Sequence, residues 1–333
     1  MSKLVDRHGR VHDYLRISVT DQCNLRCVYC MPEEGLEFMD YSKQLSPEEI
    51  FKIVSVGARL GIRKIRITGG EPLVRKDIVE IIQCVSSIPG IEDIAMTTNG
   101  ILLANKAIAL KNAGLSRVNI SLDTLDPAKF RMIARRGELS KVLEGIQAAA
   151  DVGFAPIKLN FVLLKGMNED EIEAFLRMSY NEKLHIRFIE YMPIGHDDEG
   201  WRNRYLSLEY VQGIAATLPW KSEPVSQMRG NGPAENWRFV GGQGSYGFIH
   251  PISDHFCASC NRLRLTADGQ LKPCLYWVDE LQMRPWVNDP SAMERIFYKA
   301  LEIKPENHEM AARLAFEVQS HTPTARRMSQ IGG

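Results

Sequence analysis

Six of the chain's seven cysteines fall into two triads, and their spacing is the first sign of chemistry. Cys23, Cys27 and Cys30 stand in the run Cys-Asn-Leu-Arg-Cys-Val-Tyr-Cys; Cys257, Cys260 and Cys274 form the second group, and Cys84 stands apart. A sparse, odd set is no disulfide scaffold, and in a reducing compartment grouped cysteines mean metal or redox chemistry. Three thiolates at the first spacing can hold three irons of a [4Fe-4S] cube and leave the fourth iron open to a small ligand. A structural zinc site wants four closed ligands, so a triad without a nearby histidine suits zinc poorly. The second triad is less decided. Cys-x2-Cys is common in zinc sites, and His250 or His255 can complete four ligands, so spacing alone leaves zinc and a cluster equally open. Cys84 lies in an apolar helical run, Ile78–Val85, and reads as a buried core residue.

The elements that must position these groups alternate strand and helix. Strand candidates are Tyr14–Val19, Lys64–Thr68, Asp93–Thr98, Arg117–Leu122, Ile157–Leu164 and His185–Tyr191. Between them, Ser46-Pro47-Glu48-Glu49 supplies an N-cap, a proline at the first helical position and a capping-box acid. Asn168-Glu169-Asp170-Glu171 opens another helix with acids at its positive end. Six βα units imply parallel strands joined by right-handed crossovers. A full barrel takes eight units and roughly 250 residues, so the fold class expected is α/β: a partial (β/α)6 TIM-like barrel over residues 1–215. A smaller C-terminal region, 216–333, carries the second triad. It contains strand-like pieces at Trp237–Val240 and Gly247–His250 and a helix over Ser291–Ile303.

Parallel strands covered on both faces are usually apolar throughout. These alternate, as in Lys64-Ile65-Arg66-Ile67 and Lys158-Leu159-Asn160-Phe161. Successive side chains face opposite ways, so one face takes the helices and the other makes a polar lumen. A polar lumen implies a polar ligand. Arg16, Arg66 and Lys158 are its basic candidates, and Arg262 and Arg264, two apart, share one face just after Cys260. No Gly-x4-Gly-Lys-Ser/Thr phosphate loop is present, so side chains must hold any nucleotide.

Composition bounds the rest. Lys plus Arg number 41 and Asp plus Glu 41, which speaks against a nucleic-acid binder, and no apolar run reaches the roughly 18 residues of a membrane helix. The start, Met1 to Arg7, has no apolar core and contains an acid, so neither a secretion signal nor a transit peptide is expected. The expectation is a soluble, cytoplasmic protein.

The first triad resembles the signature of the radical S-adenosylmethionine superfamily, Cys-x3-Cys-x-aromatic-Cys, with Tyr29 as the aromatic. Thr68-Gly69-Gly70-Glu71-Pro72 at the end of the second strand is similar to that family's Gly-Gly-Glu-Pro motif. Asp254 to Arg264, around Cys257-Ala-Ser-Cys260-Asn-Arg-Leu-Arg, resembles the C-terminal motif of the molybdenum cofactor biosynthesis protein A family, the GTP 3′,8-cyclases. The likeness runs from Tyr14 to the terminal Gly332-Gly333. It implies two [4Fe-4S] clusters, one on each triad, and S-adenosyl-L-methionine chelated by the first, with Tyr29, Gly70, Ser121 and Met192 about it. It implies GTP as substrate, contacted by Arg16, Arg66, Thr97, Lys158, Arg262, Leu263 and Arg264, with its guanine at the second cluster. The Gly332-Gly333 tail would reach into the active site. A 5′-deoxyadenosyl radical would take the 3′ hydrogen of GTP, and C3′ would join C8 to give 3′,8-cyclo-7,8-dihydro-GTP. Flavodoxin or ferredoxin as electron donor, the next enzyme of molybdenum cofactor synthesis, and a second copy in a homodimer are the partners implied. Two other readings stay open: another radical enzyme with an auxiliary cluster, such as a peptide modifier, and a zinc-stabilised nucleotide-binding scaffold.

Overall fold

The computed structural model describes residues 3–195, 200–225, 233–253, 256–309 and 322–332. Among these residues, twelve strands form one sheet. They are β1 (Tyr14–Ser18), β2 (Lys64–Thr68), β3 (Asp93–Thr98), β4 (Arg117–Ser121), β5 (Ile157–Val162), β6 (Leu184–Ile189), β7 (Ser222–Pro224), β8 (Glu235–Phe239), β9 (Ser245–Ile249), β10 (Arg262–Leu265), β11 (Gln270–Lys272) and β12 (Leu281–Gln282). Their order is β12-β11-β10-β1-β2-β3-β4-β5-β6-β9-β8-β7.

The run β1 to β6 is parallel and sequential, as the βα alternation requires. The helices between are α1 (Pro47–Arg59), α2 (Ile78–Ser86), α3 (Ala107–Asn112), α4 (Pro127–Ala134), α5 (Leu139–Asp151) and α6 (Ile172–Asn181). Beyond β6 lie α7 (Trp201–Arg204), α8 (Leu208–Thr217) and α9 (Pro290–Glu302). The parallel run does not stop at six strands. β10 pairs parallel with β1 and β9 parallel with β6, each followed outward by antiparallel strands. An uncovered edge leaves N–H and C=O groups unpaired, and the C-terminal part of the chain covers both edges.

Ser46 caps α1 with Glu49 returning to its N–H, as the capping box requires. The acids at 169–171 behave differently from their sequence reading. They form a short 3-10 turn ahead of α6, and Glu171 accepts instead from Thr124 Oγ1 and the Leu125 N–H. On the helix-facing side of the sheet, Leu15, Ile17, Ile65, Ile67, Val118, Ile120, Leu159, Phe161, Ile186 and Phe188 are wholly buried in one core with the helices' apolar faces. Cys84 is only half-buried, which corrects its placement in the core. Ile78, Ile81, Ile82 and Val85 make the buried stripe of α2, and Cys84 falls beside it. Among the described residues no helix is long and apolar enough to cross a membrane.

Candidate active site

The other face of the sheet encloses a cavity of about 290 Å3. Register sets its charge. Arg264 on β10, Arg16 on β1 and Arg66 on β2 are direct neighbours across three parallel strands. Like charges so placed repel, and each side chain has its own restraint. Arg66 donates through Nε to Tyr14 Oη (2.6 Å) and through Nη1 to Thr97 Oγ1 (3.4 Å). Arg262 lies over the Phe256 ring, 4.7 Å from its centre. Arg187 on β6, in register with Asn160, brings another guanidinium to the wall. Burial and then the neighbouring guanidiniums push Arg187 down to about 9 and Arg264 to about 10, and hold Arg16 well below the usual arginine range. Clustered cations with such shifts mark a site made for an anion.

The thiols of the first triad line the cavity from the loop that follows β1, past the C-terminal end of the strand that carries Arg16. Cys23 Sγ accepts from the Leu25 N–H (3.4 Å) and from Asn99 Nδ2 (3.9 Å). Arg26 Nη1 braces the loop from within, donating to the carbonyls of Cys23 (2.7 Å) and Leu25 (2.8 Å). Gly70 lets the neighbouring loop close on it: a Cβ there would lie 2.3 Å from Gln22 O and 2.6 Å from Asp21 O. Tyr29 Oη donates to Asp123 Oδ2 (2.6 Å), whose other oxygen accepts from the Val162 N–H. Ser121 and Met192 line the same cavity. Burial, with the Glu71 carboxylate adding to it, pushes Cys23 up to about 11; burial with repulsion from neighbouring thiolates pushes Cys30 up to about 12 and raises Cys27 strongly. Bare thiols here stay protonated, whereas a bound metal would ionise them.

The second triad borders the cavity without lining it; Phe256, Arg262 and Leu275, its chain neighbours, form the wall. Burial and the other two sulfurs push Cys257 up to about 12. Cys260 behaves oppositely: burial raises it, but Lys304, Arg262 and Arg10 together outweigh burial and bring it down to about 7. His250 is tied to Ser253 Oγ (3.3 Å) and Glu235 Oε2 (3.6 Å), and His255 lies outside the described residues. Among the described residues no group of three or more His, Cys, Asp or Glu is set to grip a metal ion. A cube takes each thiolate on a different iron, so its ligands ring a space instead of converging on one point. All six triad thiols are free of disulfides, so each has the donor chemistry a thiolate ligand needs.

The C-terminal segment enters the lumen. Arg326 anchors it by ion pairs to Asp268 (2.8 Å) and Glu280 (2.7 Å). Met328 and Ser329 join the cavity wall, the Ser329 N–H reaches the Cys30 sulfur, and Gly332 packs against Thr68 and Ser18 at the ends of β2 and β1. Arg264 Nη1 donates to the carbonyls of Ile331 (3.3 Å) and Gly332 (2.6 Å). Gly333 lies outside the described residues.

The cavity therefore gathers Arg16, Arg66, Thr97, Arg262 and Arg264 with Cys23, Cys27, Cys30, Tyr29, Gly70, Ser121 and Met192. Two of the substrate-contact candidates stand off it. Lys158, in register between Asn119 and His185, is buried outside the wall, and burial followed by repulsion from Arg187, Arg117 and Arg66 pushes it down to about 6. Leu263 turns its side chain into the helix-facing core, so only its backbone is available to a ligand. Arg187 was missed in the sequence, although Leu184-His-Ile-Arg-Phe-Ile189 alternates like the other strands and carried the signal.

Residues 17–179 match the family model of the Radical SAM superfamily, and residues 184–310 that of Molybdenum Cofactor Synthesis C. GTP 3′,8-cyclase of Listeria monocytogenes serotype 4b is 57% identical over 333 residues, 100% of both chains. That of Limosilactobacillus fermentum is 48% identical over the same 333 residues and 100% of both chains. That of Petrotoga mobilis is 48% identical across 99% of this chain and 100% of its own. Streptococcus suis SuiB bound to S-adenosylmethionine superposes with a TM-score of 0.60 at 13% identity, over 92% of this chain and 69% of that one. Native anSMEcpe with bound AdoMet gives 0.57 at 15% identity, over 92% and 85%. At these identities the two structures speak for the fold alone.

Proposed function

Since the chain belongs to the GTP 3′,8-cyclase family of radical S-adenosylmethionine enzymes, we propose that it cyclises GTP to 3′,8-cyclo-7,8-dihydro-GTP inside this cavity, early in molybdenum cofactor synthesis. The observation that carries the reading is a single cavity lined by both a three-thiol loop and a layer of arginines.

Cys23, Cys27 and Cys30 would hold a [4Fe-4S] cluster, and Gly70, whose missing Cβ lets it pack directly on the Gln22 and Asp21 carbonyls, shapes the cavity wall beside which S-adenosylmethionine would bind. When bound, the two together supply a 5′-deoxyadenosyl radical able to take the 3′ hydrogen of GTP. The chain's own residues do the rest by placement. Asp123 fixes the Tyr29 ring, and Ser121 and Met192 join it in the wall. Arg16, Arg66 and Arg264 meet the triphosphate, since forked guanidiniums bind phosphate oxygens by paired, charge-assisted bonds. Arg187 adds charge to the layer and Lys158 supplies a proton acceptor behind it. The tail, with Gly332, narrows the lumen and excludes water from the reacting ribose. Cys257, Cys260 and Cys274 would hold a second [4Fe-4S] cluster facing the guanine across Phe256 and Arg262. A low-potential donor such as flavodoxin or ferredoxin, a cytoplasmic setting, hand-over to the next enzyme of the pathway and a homodimer complete the proposal.

Anaerobic turnover with S-adenosylmethionine, dithionite and GTP deuterated at C3′ tests it. Deuterium should appear in 5′-deoxyadenosine. If 5′-deoxyadenosine forms without it, the substrate assignment fails.

A further inference from the structure

Two segments without a chemical motif wrap the second triad. The first is an N-terminal hairpin, bridged at Val5 and Val11 and turned at Gly9. Buried Asp6 organises it, accepting from the N–H groups of His8 and Arg10 and from Arg10 Nε (2.6 Å), and meeting His12 Nε2 at 3.0 Å. Arg10, so held, donates through Nη1 to the carbonyls of Cys257 and Glu306 (2.8 Å each) and through Nη2 to that of Pro305 (2.7 Å).

The second segment is the strap after α9. Lys304 Nζ donates to the carbonyls of Arg262 (3.0 Å) and Pro273, two residues past Cys260 and one before Cys274. Trp277 Nε1 holds the Asn307 carbonyl at 2.9 Å, and the His308 N–H reaches the Cys257 sulfur. Lys304 is 2% exposed and Arg10 8%. Arg10 is ion-paired with Asp6, whereas Lys304 has no carboxylate within ion-pair distance among the described residues. Burying an ammonium is costly unless negative charge lies near it. Cys257 and Cys260 lie within its electrostatic reach.

We propose that Lys304, clamped by the Asp6–Arg10 hairpin, is the positioning residue and counter-charge of the second cysteine triad. It holds Cys260 and Cys274 through the carbonyls of their neighbours and eases electron uptake by a cluster bound there. The proposal rests on reading that triad as a cluster site. A cube on three thiolates is anionic and gains one more negative charge when an external reductant gives it an electron. A fixed cation beside it therefore favours the reduced form and raises the midpoint potential.

The test uses the full chain carrying Cys23→Ser, Cys27→Ser and Cys30→Ser, so that any iron belongs to the second triad. After anaerobic reconstitution with iron and sulfide, this parent should hold about four irons per chain. Lys304→Met removes the charge at similar length, and Lys304→Arg keeps it. Lys304→Met should shift the potential, followed by electron paramagnetic resonance, to more negative values or lose iron several-fold. Lys304→Arg should return towards the parent. A Lys304→Met chain with the parent's iron content and potential overturns the proposal. So does a Lys304→Arg chain that melts like the parent yet loses as much iron as Lys304→Met, because shape and not charge would then matter. If the parent itself binds zinc or no metal, the cluster reading falls and takes the proposal with it.

Discussion

Alanine at Gly332 isolates the docking of the tail. Gly332 has φ 66° and ψ 64°, a left-handed conformation, which costs an L-residue about 1–2 kcal/mol. The added Cβ would also stand 2.3 Å from Thr68 Cγ2 and 3.6 Å from Ser18 Cβ. Thr68 is buried at the end of β2, so its methyl can retreat only by leaving its rotamer, at about 0.5–1.5 kcal/mol. Together the penalties come to about 1.5–3.5 kcal/mol. The Arg264 bonds to the Ile331 and Gly332 carbonyls hold the same segment, and hydrogen bonds to a charged group contribute about 1.5–3 kcal/mol. The substitution therefore cancels most of the local docking and lowers the docking equilibrium constant about 10- to 400-fold. Arg326 still tethers the segment upstream, so the fold is spared. Cyclisation under saturating GTP follows the docked fraction, which starts near one, and should fall several-fold, at most about 30-fold, with the melting temperature within about 4 °C of wild type and iron content unchanged. Thr68→Ser, which deletes the clashing methyl, should restore part of the rate in the Gly332→Ala chain but not all, because the backbone strain stays. Wild-type turnover by Gly332→Ala would refute the argument that this docked tail is the catalytic one.

Cys257→Ser should leave reductive cleavage of S-adenosylmethionine intact yet abolish the cyclic product; 5′-deoxyadenosine and product are quantified side by side, and equal loss of both would contradict separate roles for the triads. Arg264→Ala removes one member of the arginine layer together with a tail anchor. It should cut the preference for GTP over guanosine about 10- to 100-fold, from the loss of about 1.5–3 kcal/mol of charge-assisted bonding; an unchanged preference in equilibrium binding would exclude the contact. Lys158, pushed down to about 6 by burial and by its cationic neighbours, is mostly neutral above neutral pH in the free protein. A triphosphate raises it again, so binding takes up a proton: affinity is full below pH 6 and declines as pH rises through the complex's higher value. Calorimetry in buffers of different ionisation enthalpy should show that uptake at pH 7.5 in wild type and not in Lys158→Met, and identical heats in wild type would sink the idea.

Period-two alternation made the barrel readable, because the lumen is polar: Arg66 between Ile65 and Ile67, or Asn160 between Leu159 and Phe161, tells the two faces apart. The same rule applied to β6 would have found Arg187. Helical periodicity in α2 would likewise have shown Cys84 lying off the buried stripe. Other features lie beyond local pattern. That β10 pairs with β1 at Tyr14↔Arg262, and β9 with β6, is decided by which strand reaches an open edge, not by either strand's own residues. The Lys304–His308 strap is silent for a related reason. Apart from the Lys304 ammonium, it meets its neighbours through backbone groups, which every residue carries, and only position gives them a role.

The chain's equal numbers of acids and bases conceal how unequal the lumen is. The acids nearest to it are already engaged. Asp93 is held by Arg117, Glu190 by Tyr205 and the Ile252 and Ser253 N–H groups, Asp123 by Tyr29 and the Val162 N–H, and Glu71 by Thr98 and two backbone N–H groups. Arg66 and Arg264, by contrast, donate to neutral oxygens: Tyr14 and Thr97 for one, tail carbonyls for the other. Neutral partners restrain a guanidinium's direction without cancelling its charge. The layer thus stays oriented and electropositive until a polyanion arrives, and the reorganisation that binding would otherwise demand is already done in folding. On the loop after β1 the raised thiols present the converse case, sites that become anionic only when metal binds. One face of one sheet thereby brings an anion site and a metal-binding site into a single cavity, where two different nucleotides can meet.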